Sequence, residues 1–186
     1  MSSTLLTRKL SYAEYLDWEA QQEGRNEFID GEVFAMSGAV RAHNVIIINL
    51  VIALGTRLRD TRCEVFSSNM KLRVEAVDAV FYPDIMVNCS DADRQATRAL
   101  SEPKLIIEVL SPPTGGVDQG RKSAAYRTLA TLDEYLLIDP GSRSISGWRR
   151  SAEGAWQSVA IGADEPLVLA SLGVTLDRGE VFRSVE

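Results

Sequence analysis

Leu105-Ile106-Ile107-Glu108-Val109-Leu110 is the stretch on which the reading of this chain turns. Five aliphatic side chains surround one carboxylate in a run of strand length. Such a continuously apolar strand is expected to be covered on both faces. Glu108 therefore belongs deep in the fold, where an uncompensated carboxylate is costly. It needs a cation, a hydrogen-bond network or a raised pKa. A structural salt bridge would meet that need, and so would a functional site. The same oddity recurs at Phe81-Tyr82-Pro83-Asp84-Ile85-Met86-Val87. Pro83 cannot donate to a sheet ladder, so an irregularity in the strand is expected to aim Asp84 away from regular pairing. On adjacent strands the two acids would converge, and oxygen-only ligands suit Mg²⁺ or Mn²⁺. A magnesium site accounts for both buried acids at once.

Downstream, Ser111-Pro112-Pro113-Thr114-Gly115-Gly116 reads as a stiff loop. A helix is expected from Asp118 to about Leu129. Within it Lys122, Tyr126 and Leu129 share an apolar stripe with Ala125. One reading has Lys122 snorkel from that stripe to the surface. The other is geometric: a short loop from the end of the Glu108 strand brings the first turns of this helix back over it, so that the ammonium points at Asp84 and Glu108. Two carboxylates, a metal and a lysine are the parts for in-line hydrolysis of a phosphodiester.

The rest of the chain frames that core. A helix is expected from Tyr12 to about Gln22, opened by the S-x-x-E capping box of Ser11 and Glu14. Asn26 to Phe34 reads as a hairpin turning at Asp30-Gly31. Arg41 to Arg59 reads as a helix buried on most sides. Strands follow at Cys63–Ser67, Met70–Val74, Val80–Val87, Lys104–Leu110, Glu134–Asp139, Ser146–Arg150 and Trp156–Ile161, before a turn-rich end. The fold class is α/β or α+β, a mixed central sheet flanked by helices, with an N-terminal helix and hairpin. At 186 residues a single domain over 1–186 is expected. The composition, 45% hydrophobic and 25% charged, excludes wholesale disorder. Cys63 and Cys89 are too few for a disulfide framework or a four-cysteine zinc site, and read as two cytosolic thiols. The longest near-apolar run, Val45 to Leu54, is about half a membrane span, and Met1 to Arg8 has no apolar signal core, so a cytoplasmic protein without membrane contact is expected. The net charge of −6 argues against indiscriminate nucleic-acid binding but leaves room for a local basic patch.

Taken in order, Asp30-Gly31-Glu32, Arg41-Ala42-His43-Asn44, Tyr82-Pro83-Asp84, Glu108-Val109-Leu110-Ser111-Pro112-Pro113-Thr114, Asp118-x-x-x-Lys122-x-x-x-Tyr126 and Glu134-Tyr135-Leu136-Leu137-Ile138-Asp139 resemble the Uma family of predicted restriction endonucleases, within the PD-(D/E)XK nuclease superfamily. The resemblance runs from about residue 10 to 183. It implies a mixed sheet flanked by helices and Mg²⁺-dependent cleavage of DNA. By position, Asp84 matches the motif aspartate and Glu108 the second metal-binding acid, while Glu27 matches an upstream acid that completes the metal shell. The superfamily's usual lysine lies two residues after the second acid, where this chain has Leu110. Lys122, on the following helix, would supply the ammonium instead. Pro113 stands where a serine is usual.

His43, the only histidine, has two readings: a surface or helix-terminal residue, or a site residue bonding phosphate or metal-bound water. Trp18, Trp148 and Trp156 read as core or interface residues rather than base-stacking platforms. Arg41, Arg57, Arg59, Arg62, Lys71 and Arg73 are either a local positive face or ordinary solvated cations. The leading function is a metal-dependent endonuclease, with a homodimer expected if both strands are cut symmetrically. The alternative is a catalytically inactive nucleic-acid-binding or self-associating module on the same fold, since fold does not fix function. Metal-free acid–base hydrolysis, as in glycosidases, is a third reading, disfavoured because no sugar-stacking groove is legible.

Overall fold

The computed structural model describes residues 8–36, 38, 40–111 and 115–185, with the backbone alone for 115–119. The first helix, α1 (Tyr12–Glu19), opens with the expected capping box. The Ser11 hydroxyl accepts the Glu14 N–H at 3.3 Å, and the Glu14 carboxylate takes the Ser11 N–H at 2.8 Å. The hairpin β1 (Asn26–Ile29) and β2 (Glu32–Ala35) turns at Asp30-Gly31. Both turn residues have positive φ, 47° and 85°, the twist that two-residue hairpins favour. Next come α2 (Arg41–Arg57), β3 (Glu64–Ser67), β4 (Leu72–Val74), β5 (Ala79–Phe81), β6 (Ile85–Asn88), β7 (Pro103–Val109) and α3 (Gly115–Tyr126). The chain ends with β8 (Glu134–Ile138), β9 (Ile145–Arg150), β10 (Trp156–Ile161), the hairpin β11 (Leu167–Leu169) and β12 (Val174–Leu176), and the short α4 (Arg178–Val181).

The central sheet is mixed, as expected. Its order is β10-β9-β8-β7-β6-β3, with β7 and β8 parallel and the other neighbours antiparallel. A second sheet, β2-β1-β5-β4, stands apart from it. The sequence suggested one strand over Val80–Val87; the structure divides it, with β5 in the second sheet and β6 in the first. Pro83 sits at the break, where its missing N–H costs no ladder bond.

Alternation along the strands builds two cores on the central sheet. On one face Ile85, Leu105, Ile107 and Leu136 pack with Ile46, Leu50 and Leu54 of α2. On the other, Met86, Ile106 and Tyr135 pack with Tyr126 of α3 and with Leu72 and Phe81 of the second sheet. Glu108 shares that second face with Ile106. A third cluster joins Tyr15 and Leu16 of α1 to Phe28 and Val80. Gly147 is required by close approach, because a Cβ there would lie 2.1 Å from the Tyr135 carbonyl oxygen.

Two expectations change here. Cys63 and Cys89 are joined in a disulfide rather than standing as thiols. The β3–β6 register pairs Glu64 with Asn88, and the next position outward sets the two cysteines opposite one another. The helix expected from Asp118 begins at Gly115, while Pro112, Pro113 and Thr114 lie outside the described residues. Of the tryptophans, Trp148 stacks on Tyr135 and, like Trp156, packs against the second core. Among the cations proposed as a positive face, Arg57, Arg62 and Arg73 are each held by a carboxylate, Glu180, Asp91 and Asp78.

Candidate active site

The site forms at the end of the central sheet where β6 begins and β7 finishes. The register pairs Ile85 with Ile107, so Asp84 and Glu108 meet at the next rung. They are laced together through the backbone. The Asp84 N–H donates to Glu108 Oε2 at 3.3 Å, and the Val109 N–H donates to Asp84 Oδ2 at 2.9 Å. The break at Tyr82–Asp84 makes this possible by freeing Asp84 from a regular ladder. Ser68 steadies the turn, its N–H lying 3.1 and 3.2 Å from the Pro83 and Asp84 carbonyls.

Three other elements deliver side chains to this end. From α3, the Tyr126 hydroxyl donates to Glu108 Oε1 at 2.8 Å. One turn earlier, Lys122 Nζ lies 2.6 Å from Glu27 Oε1 and 3.9 Å from Glu108 Oε1. Its side chain is 15% exposed, so the ammonium turns inward and does not snorkel to the surface. The ammonium faces both carboxylates, and its tighter partner is Glu27 on β1 rather than Glu108. From α2, on the opposite face of the sheet, His43 reaches round the strand ends and places Nε2 3.0 Å from Asp84 Oδ2. His43 is buried, and among the described residues its Nδ1 has no partner. The structure thus brings together Asp84, Glu108, Lys122, Glu27 and His43. Tyr126 is the residue that sequence reasoning left without a role. The signal was its i, i+4 spacing from Lys122, which puts both on the face that α3 turns to the sheet.

Electrostatics follow from this packing. Burial raises the Glu108 pKa most. Lys122 opposes the rise, Asp84 adds to it, the Tyr126 hydrogen bond opposes it and Glu27 adds again, leaving the group pushed up to about 8. Tyr126 is held well above its ordinary value by burial and by Glu108, so it stays a phenol and a donor.

The donor set suits a hard divalent cation. Its oxygens are carboxylates, and the charged form of Glu108 is disfavoured by burial and by Asp84, both of which a cation would relieve. Among the described residues no three His, Cys, Asp or Glu side chains are grouped as ligands to one ion. Two carboxylates are nonetheless what Mg²⁺ commonly takes from protein, water and substrate phosphate completing its shell.

Comparison with known proteins bears on this geometry. Residues 12–179 match the model of the Uma2 family, described as "Putative restriction endonuclease". The chain belongs to this family. An uncharacterized protein of Synechocystis sp. is 32% identical over 177 residues, 95% of this chain and 93% of its own length. A second uncharacterized Synechocystis protein is 36% identical over 152 residues, 81% of this chain and 86% of its own. A crystal structure from Anabaena variabilis, described as "a putative nuclease belonging to DUF820", superposes with a TM-score of 0.76 at 18% identity, covering 93% of this chain and 97% of that one. That likeness shows the fold. Membership of the family makes the chain nuclease-like. Among the described residues no helix is long and apolar enough to cross a membrane.

Proposed function

We propose that this chain is a Mg²⁺-dependent endonuclease, with Mn²⁺ able to replace Mg²⁺, that hydrolyses DNA phosphodiester bonds. The reading extends to one domain over 1–186, acting in the cytoplasm, where its substrate lies, and pairing as a homodimer to cut both strands. One observation carries it: Asp84, Glu108 and Lys122, from three separate elements, converge at one strand end. Asp84 and Glu108 would hold the ion, with Glu27 beside them. Bound there, the ion supplies Lewis-acid polarisation of a phosphate and lowers the pKa of water.

The residues of the chain do the rest. Tyr126 fixes one oxygen of Glu108, and the Asp84 N–H fixes the other. Asp84 is aimed through Oδ2 by the Val109 N–H and by His43, so neither acid must reorganise when substrate arrives. Glu27 holds the Lys122 ammonium close to Glu108, where it compensates the charge that develops on the phosphate. That is the work of the lysine missing at Leu110.

Nicking of supercoiled plasmid tests the proposal. Wild type should cut with Mg²⁺ or Mn²⁺ and not with EDTA. Asp84→Asn and Lys122→Met should each lose about 100-fold or more, the cost of one major electrostatic contact. Wild type that binds DNA yet never cuts it with either metal would make the inactive module the correct reading.

A further inference from the structure

The half-buried cations of this protein are held in one of two ways: Arg73, Lys104 and Arg149 have the carboxylates Asp78, Asp133 and Glu134, and Arg127, Arg150 and Arg178 donate to backbone carbonyls. Lys71 differs. It is half-buried, yet among the described residues no carboxylate lies within ion-pair distance of its ammonium. Its contact is the face of Tyr82, 5.2 Å from Nζ to the ring centroid. The acid that acts on it is Glu19, whose oxygens already accept from the Asn26 backbone, the Asn26 amide and the Tyr82 hydroxyl. Burial accordingly lowers the Lys71 pKa. A partly desolvated ammonium with no carboxylate in direct contact is a place where an anion gains binding energy.

Two arginines share the place. Arg25 donates to the carbonyl of Ser68, the residue whose N–H steadies the Pro83-Asp84 turn, and its side chain is exposed. Arg98 lies two residues before Leu100, which bonds the Lys71 carbonyl, and its charge acts on Lys71. Arg98 also pairs at 2.9 Å with Asp17, an acid 75% exposed. Lys71 thus lies over Tyr82, two residues before Asp84, the charge of Arg25 acts on the same tyrosine, and that of Arg98 acts on Lys71.

We infer that Lys71, Arg25 and Arg98 form a phosphate-binding surface for the DNA backbone next to the scissile position. This rests on the nuclease reading above and adds where the substrate strand runs: out of the Asp84–Glu108 site and past Lys71. It would also give a polyanionic partner local positive charge on a chain whose net charge is −6. Each cation acts by displacing condensed counter-ions, so its signature is salt dependence rather than sequence preference.

The test is fluorescence anisotropy with a labelled 20-base-pair duplex, using full-length protein carrying Glu108→Gln so that no DNA is cut. Lys71→Gln should raise Kd about 5–10-fold near 0.1 M salt and flatten the slope of log Kd against log salt by about 0.9. Arg25→Gln and Arg98→Gln should act in the same direction, and Lys71→Arg should keep both affinity and slope. Duplex binding by the parent with affinity and slope unchanged in Lys71→Gln and Arg25→Gln overturns this surface while leaving the nuclease reading standing. No duplex binding by the parent or by wild type at low salt overturns both.

Discussion

Removing the charge of Glu108 without changing its shape should stabilise the metal-free protein. Glu108→Gln keeps two hydrogen-bonding groups. Its carbonyl can face the Asp84 N–H while its amide donates to the Tyr126 oxygen in place of the present O–H bond. Lys122 loses a partner at 3.9 Å but keeps Glu27 at 2.6 Å. The energy at stake is set by the raised pKa, about 8 folded against an ordinary 4.5. A folded value above the unfolded one means stability is fully present below pH 4.5 and is lost as pH rises through 8. At pH 7 the loss amounts to about 3 kcal/mol, and it approaches about 5 kcal/mol above pH 8. Urea melts in EDTA should therefore show wild type losing about 3 kcal/mol between pH 5 and pH 7.5, and Glu108→Gln holding nearly level over the same range. Added Mg²⁺ should stabilise wild type and leave the variant unmoved. The reasoning is refuted if the variant is instead destabilised by about 3–5 kcal/mol, as when one partner of a structural salt bridge is removed, with no difference in metal response.

Other perturbations separate positioning from folding. Lys122→Met leaves the buried Glu27 carboxylate without its ammonium and should cost about 3 kcal/mol by denaturant melt, beside the loss of cleavage. Tyr126→Phe deletes the donor to Glu108 and should cost about 1 kcal/mol while reducing metal-dependent nicking several-fold; unchanged nicking would deny Tyr126 a positioning role. Reducing Cys63–Cys89 opens a loop of 26 residues and should lower stability by about 3 kcal/mol in melts with and without dithiothreitol, with nicking intact under conditions where both forms are folded. Gly147→Ala forces a methyl into the Tyr135 carbonyl and should give protein that melts far lower or does not fold, read by circular dichroism.

What the sequence discloses follows from the range of the interactions involved. The capping box at Ser11 and Glu14 and the Asp30-Gly31 turn are local, and both form as expected. Glu108 stands out because one acid among five aliphatic residues has few uses, and the register makes it a neighbour of Asp84. Lys122 turns inward for the same reason, an amphipathic stripe interrupted by charge. What stayed hidden is set by pairing between distant strands. Nothing local says that Pro83 divides one apolar run between two sheets, or that Cys63 and Cys89 fall opposite one another. The partner of Lys122 depends on the second sheet bringing Glu27 to the end of the first. Tyr126 was visible as a stripe residue, but its hydroxyl acquires a role only once α3 is laid over β7.

Anomalous diffraction from crystals soaked in Mn²⁺ tests the central claim most directly. The account predicts one strong peak within about 2.0–2.3 Å of a carboxylate oxygen from both Asp84 and Glu108, reduced or lost in Glu108→Gln crystals. A fully occupied peak elsewhere, with Glu108 still bonded to Tyr126 and Asp84 still bonded to His43 and Val109, would contradict it.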